Sequence, residues 1–379
     1  MRRFIKRSSG KKLLTDTCQN KKKRKRIWLG CLCMFFLLIG FAAGGIAIGY
    51  QAWQDMYKPL PEGPIPADGS LDSTPSEVTF EGEEPPAMNL ISPVSLPVEY
   101  KKEYANILLI ISEEEKRADL MLLTIDQLHE QIKLTFFPRE LWVRIPETER
   151  DDRLDVAYSC GGPKLAVQTL EQNFGIGIDR YIEIDFQQFP ALINQLGGIE
   201  LTLSEAEADY INQHTDCPEK LEGAGTYNLS GQQAFCHAQN RTAQVHDFDS
   251  VDRMRDVILA TLQRVQTTND MVCLGKLAVD STSMISTDIQ LDELGKLLIG
   301  CLDYSQYEFF LYCLPNGEDY EKNAALSEEG RKEIFCIQDM EQVRKQLQNF
   351  IYGDFDQSDI PENENLLYNP SCYFYKFIA

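Results

Sequence analysis

The chain has 379 residues, 43% hydrophobic and 25% charged, enough to bury one large core or two ordinary ones, and this composition excludes an intrinsically disordered protein. Its net charge of −21 is unevenly spread: residues 1–26 carry twelve Lys and Arg against one acid, Asp16, leaving 25 basic and 57 acidic residues from Ile27 onward, a balance of −32. So acidic a remainder offers no basic stripe to phosphate backbones and excludes a nucleic-acid-binding domain.

Residues 1–26 end in KKKRKR and are followed by IWLGCLCMFFLLIGFAAGGIAIGY, Ile27 to Tyr50, without one charge. About 20 apolar residues cross a bilayer, so this run of 24 reads as a transmembrane helix and a permanent anchor rather than a cleaved signal peptide. The basic tail holds the N-terminus in the cytoplasm, so the main domain faces the outside of the cell membrane. Residues 51–98 are rich in Pro, Gly and acids, as in KPLPEGPIPADGSLDSTPSE, and read as an extended stalk. At about 3.1 Å per residue such a stalk would hold a domain some tens of ångströms off the bilayer.

From residue 99 the texture changes, and a single domain is expected through residue 353. ANILLII and ADLMLLTID are apolar runs of strand length and IKLTFF alternates weakly; all three read as central strands. GGPKLAVQTLEQNFGIG opens a helix with Pro163 in its first turn and stops it at Gly175, with Leu165, Ala166, Leu170 and Phe174 on the buried side. RYIEIDF is a strand with Ile182, Ile184 and Phe186 on one face, FPALINQLGG a short helix, and IELTL a further strand. SVDRMRDVILATLQRV is an amphipathic helix carrying Val251, Met254, Ile258, Leu262 and Val265 on its apolar face, capped by Asp249 or Ser250. That phase sets Arg253 nearly opposite the face beside which Arg255 falls. LDELGKLLIGCL, a strand YEFFLYCLP and a last helix MEQVRKQLQNFIYG follow; residues 354–379 form a separate C-terminal tail. Strand and helix taking turns indicates an α/β fold, a mixed central sheet flanked by helices.

Ordinary catalytic devices are missing: the chain has no GxSxG elbow, no P-loop and no ligand spacing among His129, His214, His237 and His246. Ser112 ends a strand without a base in sight and reads as a capping serine. The outer cysteines, Cys160, Cys217, Cys236, Cys273, Cys301, Cys313, Cys336 and Cys372, have irregular spacings and no CxxC, so they read as core thiols. What remains is charge at strand ends: Glu113, Glu114, Glu115, Arg117 and Asp119 between two strands, and Pro138-Arg139-Glu140 straight after a third. Ligands of α/β sheets collect beyond strand ends, where carboxylates can hold Mg²⁺ and arginines fork onto phosphate oxygens.

The order of motifs, NILLII, RADLMLLTID, IKLTFFPRELWVRIP, RLDVAYSCGGPKLAVQTLEQNFGIGIDRYIEIDFQQFPALINQLGGIEL, LSGQQAFCHAQNR and DFDSVDRMRDVI, resembles the LytR–CpsA–Psr (LCP) family over about residues 99–353. The resemblance implies an LCP-type α/β sandwich and a phosphotransferase. Such an enzyme moves a glycopolymer from a polyprenyl-pyrophosphate carrier onto peptidoglycan through a phosphodiester, the lipid lying in an apolar pocket. It implies that Glu113, with Glu114 as the alternative, and Asp119 hold Mg²⁺ as cofactor. Arg139, Arg241 and Arg253 would clamp the phosphates, and Arg153, Arg117 and Gln239 would contact the donor. Two family arginines are absent: Gln239 stands for the first of R-x-R and Ser250 for the one after D-F-G, and Glu140 replaces an Asp. These departures keep open a non-catalytic relative that binds polyprenyl phosphate or cell-wall glycan as scaffold or regulator.

Overall fold

The computed structural model describes residues 46–62, 79–80, 89–93, 103–113, 117–146, 150–240, parts of 253–268 and 273–297, 307–314, 320–327, 330–353 and 375–376. A seven-stranded mixed sheet forms its centre. β2 (Tyr104–Glu113), β3 (Arg117–Asp126) and β4 (Gln131–Phe137) make an antiparallel meander. β7 (Arg180–Asp185) lies parallel to β2, and β11 (Glu308–Cys313) parallel to β4. Short antiparallel strands close the edges, β10 (Ile285–Thr287) on β7 and β14 (Tyr375–Lys376) on β11. The last of these brings two residues of the C-terminal tail into the sheet.

Both faces are covered, which is why the central strands are apolar almost throughout. Ile107, Leu109 and Ile111 of β2 face a core shared with helices Phe189–Gln195 and Gly231–Ala238 and with Met254 and Val257. Leu108 and Ile110 face the opposite core, shared with helices Leu154–Phe174 and Met340–Tyr352. The expected buried residues Leu165, Ala166, Leu170 and Phe174 are all at most 2% exposed, and Ile182, Ile184 and Phe186 share one core.

Several elements differ from expectation. The helix expected to open at the Gly161-Gly162-Pro163 step begins at Leu154, and Gly162, at φ 58° and ψ −153°, breaks it in two. Pro163 does start the second piece, which ends at Gly175 in the left-handed conformation (φ 66°), its N–H bonded to Glu171. Helices Glu205–His214 and Gly231–Ala238 begin at capping boxes, Ser204 with Glu207 and Ser230 with Gln233. Three smaller antiparallel sheets lie outside the main one among the described residues: β5 (Trp142–Ile145) with β6 (Arg150–Arg153), β8 (Ile199–Leu203, the expected strand IELTL) with β9 (Gly225–Leu229), and a third built on β12 (Tyr320–Ser327) with β13 (Gly330–Ile337).

The described parts of the segment read as a stalk lie against the domain. Met56 is wholly buried and Leu60 packs on the second core. β1 (Thr79–Phe80) pairs with β12, and Ile91 N–H bonds to Gln172. Proline-rich composition disfavours regular structure but leaves short backbone pairings available, so it does not distinguish a free spacer from a wrapped one. Among the described residues no helix is long and apolar enough to cross a membrane; Ile27 to Gly45, most of the uncharged run, lies outside them.

Candidate functional site

The meander brings two distant charges to one edge. β2 and β4 run the same way with β3 reversed between them, so the start of β3 and the end of β4 meet: Leu120 pairs with Phe137. Asp119 is third in β3, opposite Ile111, and Arg139 lies two residues past the last residue of β4. The β5–β6 hairpin then returns the chain to its starting point, with Trp142 opposite Arg153. Leu154 N–H bonds to Leu141 O at 2.8 Å and Asp155 N–H to Arg139 O at 3.3 Å. The first turn of helix Leu154–Phe174 is thereby sewn by backbone to the chain around Arg139.

The side chains alternate in sign. Arg139 Nε stands 3.7 Å from Asp119 Oδ1 and 3.3 Å from Glu140 Oε1. Glu140 also faces Arg153, whose Nη2 is 3.7 Å away, and Arg153 forks onto Asp155 through Nε at 3.1 Å and Nη2 at 2.8 Å. Arg139 is 5% exposed, whereas the other four side chains are half-buried, at 14–19% exposure. Burial raises the Asp119 carboxyl above its ordinary range against the pull of Arg139, and raises Glu140 against both arginines. For Arg153 burial opposes the charge, but Asp155 and Glu140 outweigh it and its pKa rises. Two guanidinium groups are thus gathered by backbone geometry beside Asp119 and Glu140, whose charge burial disfavours, and the forked N–H donors of a guanidinium match the oxygens of a tetrahedral oxyanion. One turn along the helix, the Tyr158 hydroxyl donates to Glu183 of β7, and burial and that carboxylate push the phenol's pKa up.

The structure thus brings Asp119, Arg139 and Arg153 together. Glu113 and Arg117 are backbone partners across β2 and β3, at the same edge, with side chains outside the described residues. Arg241, Ser250, Arg255 and the alternative ligand Glu114 also lie outside them. Gln239 is the C-cap of helix Gly231–Ala238, its N–H bonded to Phe235 O. Arg253 is 5% exposed rather than on the outward face, because Asn240 O accepts from its Nε at 2.9 Å and Glu207 approaches its Nη1 at 3.9 Å. The neighbouring His237 is buried and its imidazole pushed down to about 4, chiefly by that burial. Ser112 is no cap: it lies in β2 and donates to Ile184 O.

Glu140 and Asp155 are site members that sequence reasoning did not name as such. Asp155 looks like an ordinary acid in a helix first turn, and only the fork onto Arg153 two residues earlier sets it apart. Among the described residues no group of three or more His, Cys, Asp or Glu could hold a metal. Asp119 nevertheless suits a hard cation as one oxygen donor, since its approach to Arg139 is too long for a hydrogen bond.

Comparison with known proteins agrees with this architecture. The LytR_cpsA_psr family model matches residues 84–333. The polyisoprenyl-teichoic acid–peptidoglycan teichoic acid transferase TagV of Bacillus subtilis is 27% identical over 209 residues, 52% of each chain. TagU of Enterococcus faecalis is 28% identical over 197 residues, 50% of this chain and 60% of that one. TagU of Oceanobacillus iheyensis is 26% identical over 302 residues, 75% of this chain and 83% of that one. The match to the first two spans only half to three fifths of their length. Among solved structures, TagT of Bacillus subtilis superimposes with a TM-score of 0.50 at 21% identity, over 66% of this chain and 91% of that one. TagT bound to LI-WTA gives 0.51 at 21% identity, over 70% and 97%. These last two likenesses concern the fold. With the family model covering well over half of the sequence, this chain belongs to the LytR_cpsA_psr family.

Proposed function

We propose that the protein is a membrane-anchored phosphotransferase that moves a glycopolymer from a polyprenyl-pyrophosphate carrier onto peptidoglycan. The observation that carries this reading is the alternating cluster Asp119–Arg139–Glu140–Arg153–Asp155 at the strand-end edge of a family fold. Relatives named as teichoic acid transferases and the TagT structure with bound LI-WTA support it. The run Ile27–Tyr50 would be the anchor and the basic tail its cytoplasmic end.

The acceptor hydroxyl oxygen forms a bond to the glycan-linked phosphorus, the bond from that phosphorus to the polyprenyl phosphate breaks, and the hydroxyl proton passes to solvent or a site carboxylate. Such a transfer asks the protein for positioning and charge neutralisation rather than a covalent intermediate, consistent with a site built of guanidiniums and acids. Arg139 holds a phosphate oxygen, Arg153, steadied by Asp155, orients the donor, and Arg241 and Arg253 complete the clamp. Glu140 bridges the two arginines until a phosphate takes its place. Asp119 and Glu113 are the residues that would hold Mg²⁺, which supplies further neutralisation of phosphate charge.

Full-length protein in detergent, given a lipid-linked oligosaccharide, peptidoglycan fragments and Mg²⁺, should release polyprenyl phosphate and form linked product. Product formation undiminished by Arg139→Ala would remove the clamp from the reaction. A second reading, a non-catalytic lipid or glycan binder, is favoured by Gln239, an uncharged amide where the family has a cation. It predicts tight donor binding without turnover in the same assay.

A further inference from the structure

Residues Ile46–Tyr50 belong both to the uncharged run and to the helix Ile46–Met56. That helix is fastened to the domain. Met56 is wholly buried, and the Trp53 indole N–H donates to Ile289 O at 3.0 Å. Tyr57 forms a parallel bridge with Thr287 of β10, where Lys58 N–H bonds to Thr287 O at 2.7 Å, and the Tyr181 hydroxyl of β7 donates to Lys58 O at 2.6 Å. Tyr50, Trp53 and Tyr57 follow one another as a row of rings, Trp53 tilted against Tyr50 at 5.8 Å between centroids and stacked on Tyr57 at 4.7 Å. Beside them opens a cleft of about 500 Å³ lined by Trp53, Tyr57, Gln290, Leu291 and Asp292.

We propose that this part of the domain is a bilayer-resting face, its cleft occupied by the glycerol backbone and uppermost acyl carbons of an outer-leaflet phospholipid. The inference rests on the membrane-anchored reading above and adds that no free spacer separates anchor from domain. At 1.5 Å per helical residue, Trp53 stands about 4.5 Å beyond Tyr50. The headgroup layer on one side of a bilayer is roughly 5–8 Å thick, from the difference between core and total thickness. Trp53 therefore falls within that layer, the depth where Trp and Tyr are favoured because one end of the ring is apolar and the other polar. The cleft has the matching chemistry, two aromatic rings and a leucine with an amide and a carboxylate among its lining residues. Among the described residues nearby there is no basic cluster, Asp55, Glu62, Asp288 and Asp292 standing with Lys58 and Lys296, so attachment needs no anionic lipid.

The test uses full-length protein in phosphatidylcholine bilayers. The chain has three tryptophans, and Trp28→Phe leaves Trp53 and the buried Trp142. Lipids brominated near the headgroup should quench the emission of this variant more than lipids brominated near the chain ends. Adding Trp53→Phe should abolish the quenchable part while the protein still unfolds in one cooperative step, and phosphatidylglycerol should change neither result. Failure of both lipids to quench Trp53, while native Trp28 is quenched, overturns the resting face and leaves the anchor standing. Absence of quenching at Trp28 as well overturns the anchor and this inference with it. Strongest quenching from the chain ends places Trp53 inside the span and also overturns the proposal. Relief of quenching by added polyprenyl phosphate assigns the cleft to the donor lipid instead and overturns the phospholipid assignment.

Discussion

β3 carries a buried acid at each end, and the two ends handle charge differently. At its far end Asp126, wholly buried, meets Lys133 Nζ at 2.7 Å. That ammonium donates two further bonds, to Ile351 O at 3.2 Å and Gly353 O at 2.6 Å, and His129 contributes both its backbone and its ring to the carboxylate. Three ammonium hydrogens find three oxygens, and the cluster ties the end of helix Met340–Tyr352 to the sheet. At the near end, seven residues and roughly 23 Å away, the contacts between Arg139, Arg153, Asp119 and Glu140 are 3.3–3.7 Å, and both acids are pushed toward the neutral form by burial. The far cluster is closed around its own partners. The near one has longer contacts between its arginines and the acids Asp119 and Glu140, and those two acids gain little from their charge.

Removing one partner at the closed end should have the largest effect. Lys133→Ala leaves Asp126 buried without its cation and should cost about 3–5 kcal/mol in denaturant unfolding, with turnover per folded molecule preserved. If stability holds, the far cluster is not the fastening it looks like. Arg139→Ala should invert that pattern, losing a charged contact worth about 1.5–3 kcal/mol, roughly 10–100-fold in transfer rate, with a smaller loss of stability than Lys133→Ala. Equal losses of stability would erase the contrast between the ends.

Asp119→Asn sharpens the comparison further. Burial raises the folded carboxyl above its ordinary 3.8, so above that pH the unfolded chain has lost a proton that the folded state retains. This contribution to stability is full at lower pH and is lost as pH rises through the folded value. The neutral amide escapes the loss, so at neutral pH the variant should unfold at a higher temperature than the native protein, while transfer falls. Parallel pH–stability curves for the two proteins would show that the carboxyl is not strained. The smallest effect is expected from Gln239→Arg, which should raise an existing rate by no more than about tenfold. Activity arising from none would instead favour the binding protein.

Much of this was legible because periodicity and punctuation report local structure. The apolar runs of β2, β3 and β4, the alternation of β7 and the Pro163–Gly175 limits are local signals, and the motif order placed Asp119, Arg139 and Arg153 at one edge. The capping boxes at Ser204 and Ser230 were present in the letters and passed unused. Other features have no local trace. Asp155 becomes informative only through its side-chain fork onto Arg153, which letters two apart do not disclose. The burial of Arg253 depends on Glu207, a residue 46 positions away on another helix, so helical phase alone put it on the wrong face. Thr79–Phe80 joins a sheet through two residues, too few for any alternation to show.

The break at Gly162 has its own consequence. A methyl group added there would meet nothing within 4 Å, yet the backbone at φ 58° is one that other residues seldom adopt. The joint therefore makes two short rods of one helix, and the interior grips both: Leu154 and Tyr158 of the first share a core with Leu170 and Phe174 of the second, and Ala157 of the first packs in the same cluster as Leu165 of the second. What the bend at Gly162 fixes is the angle between the rods, and so the direction from which the first presents Asp155 to Arg153.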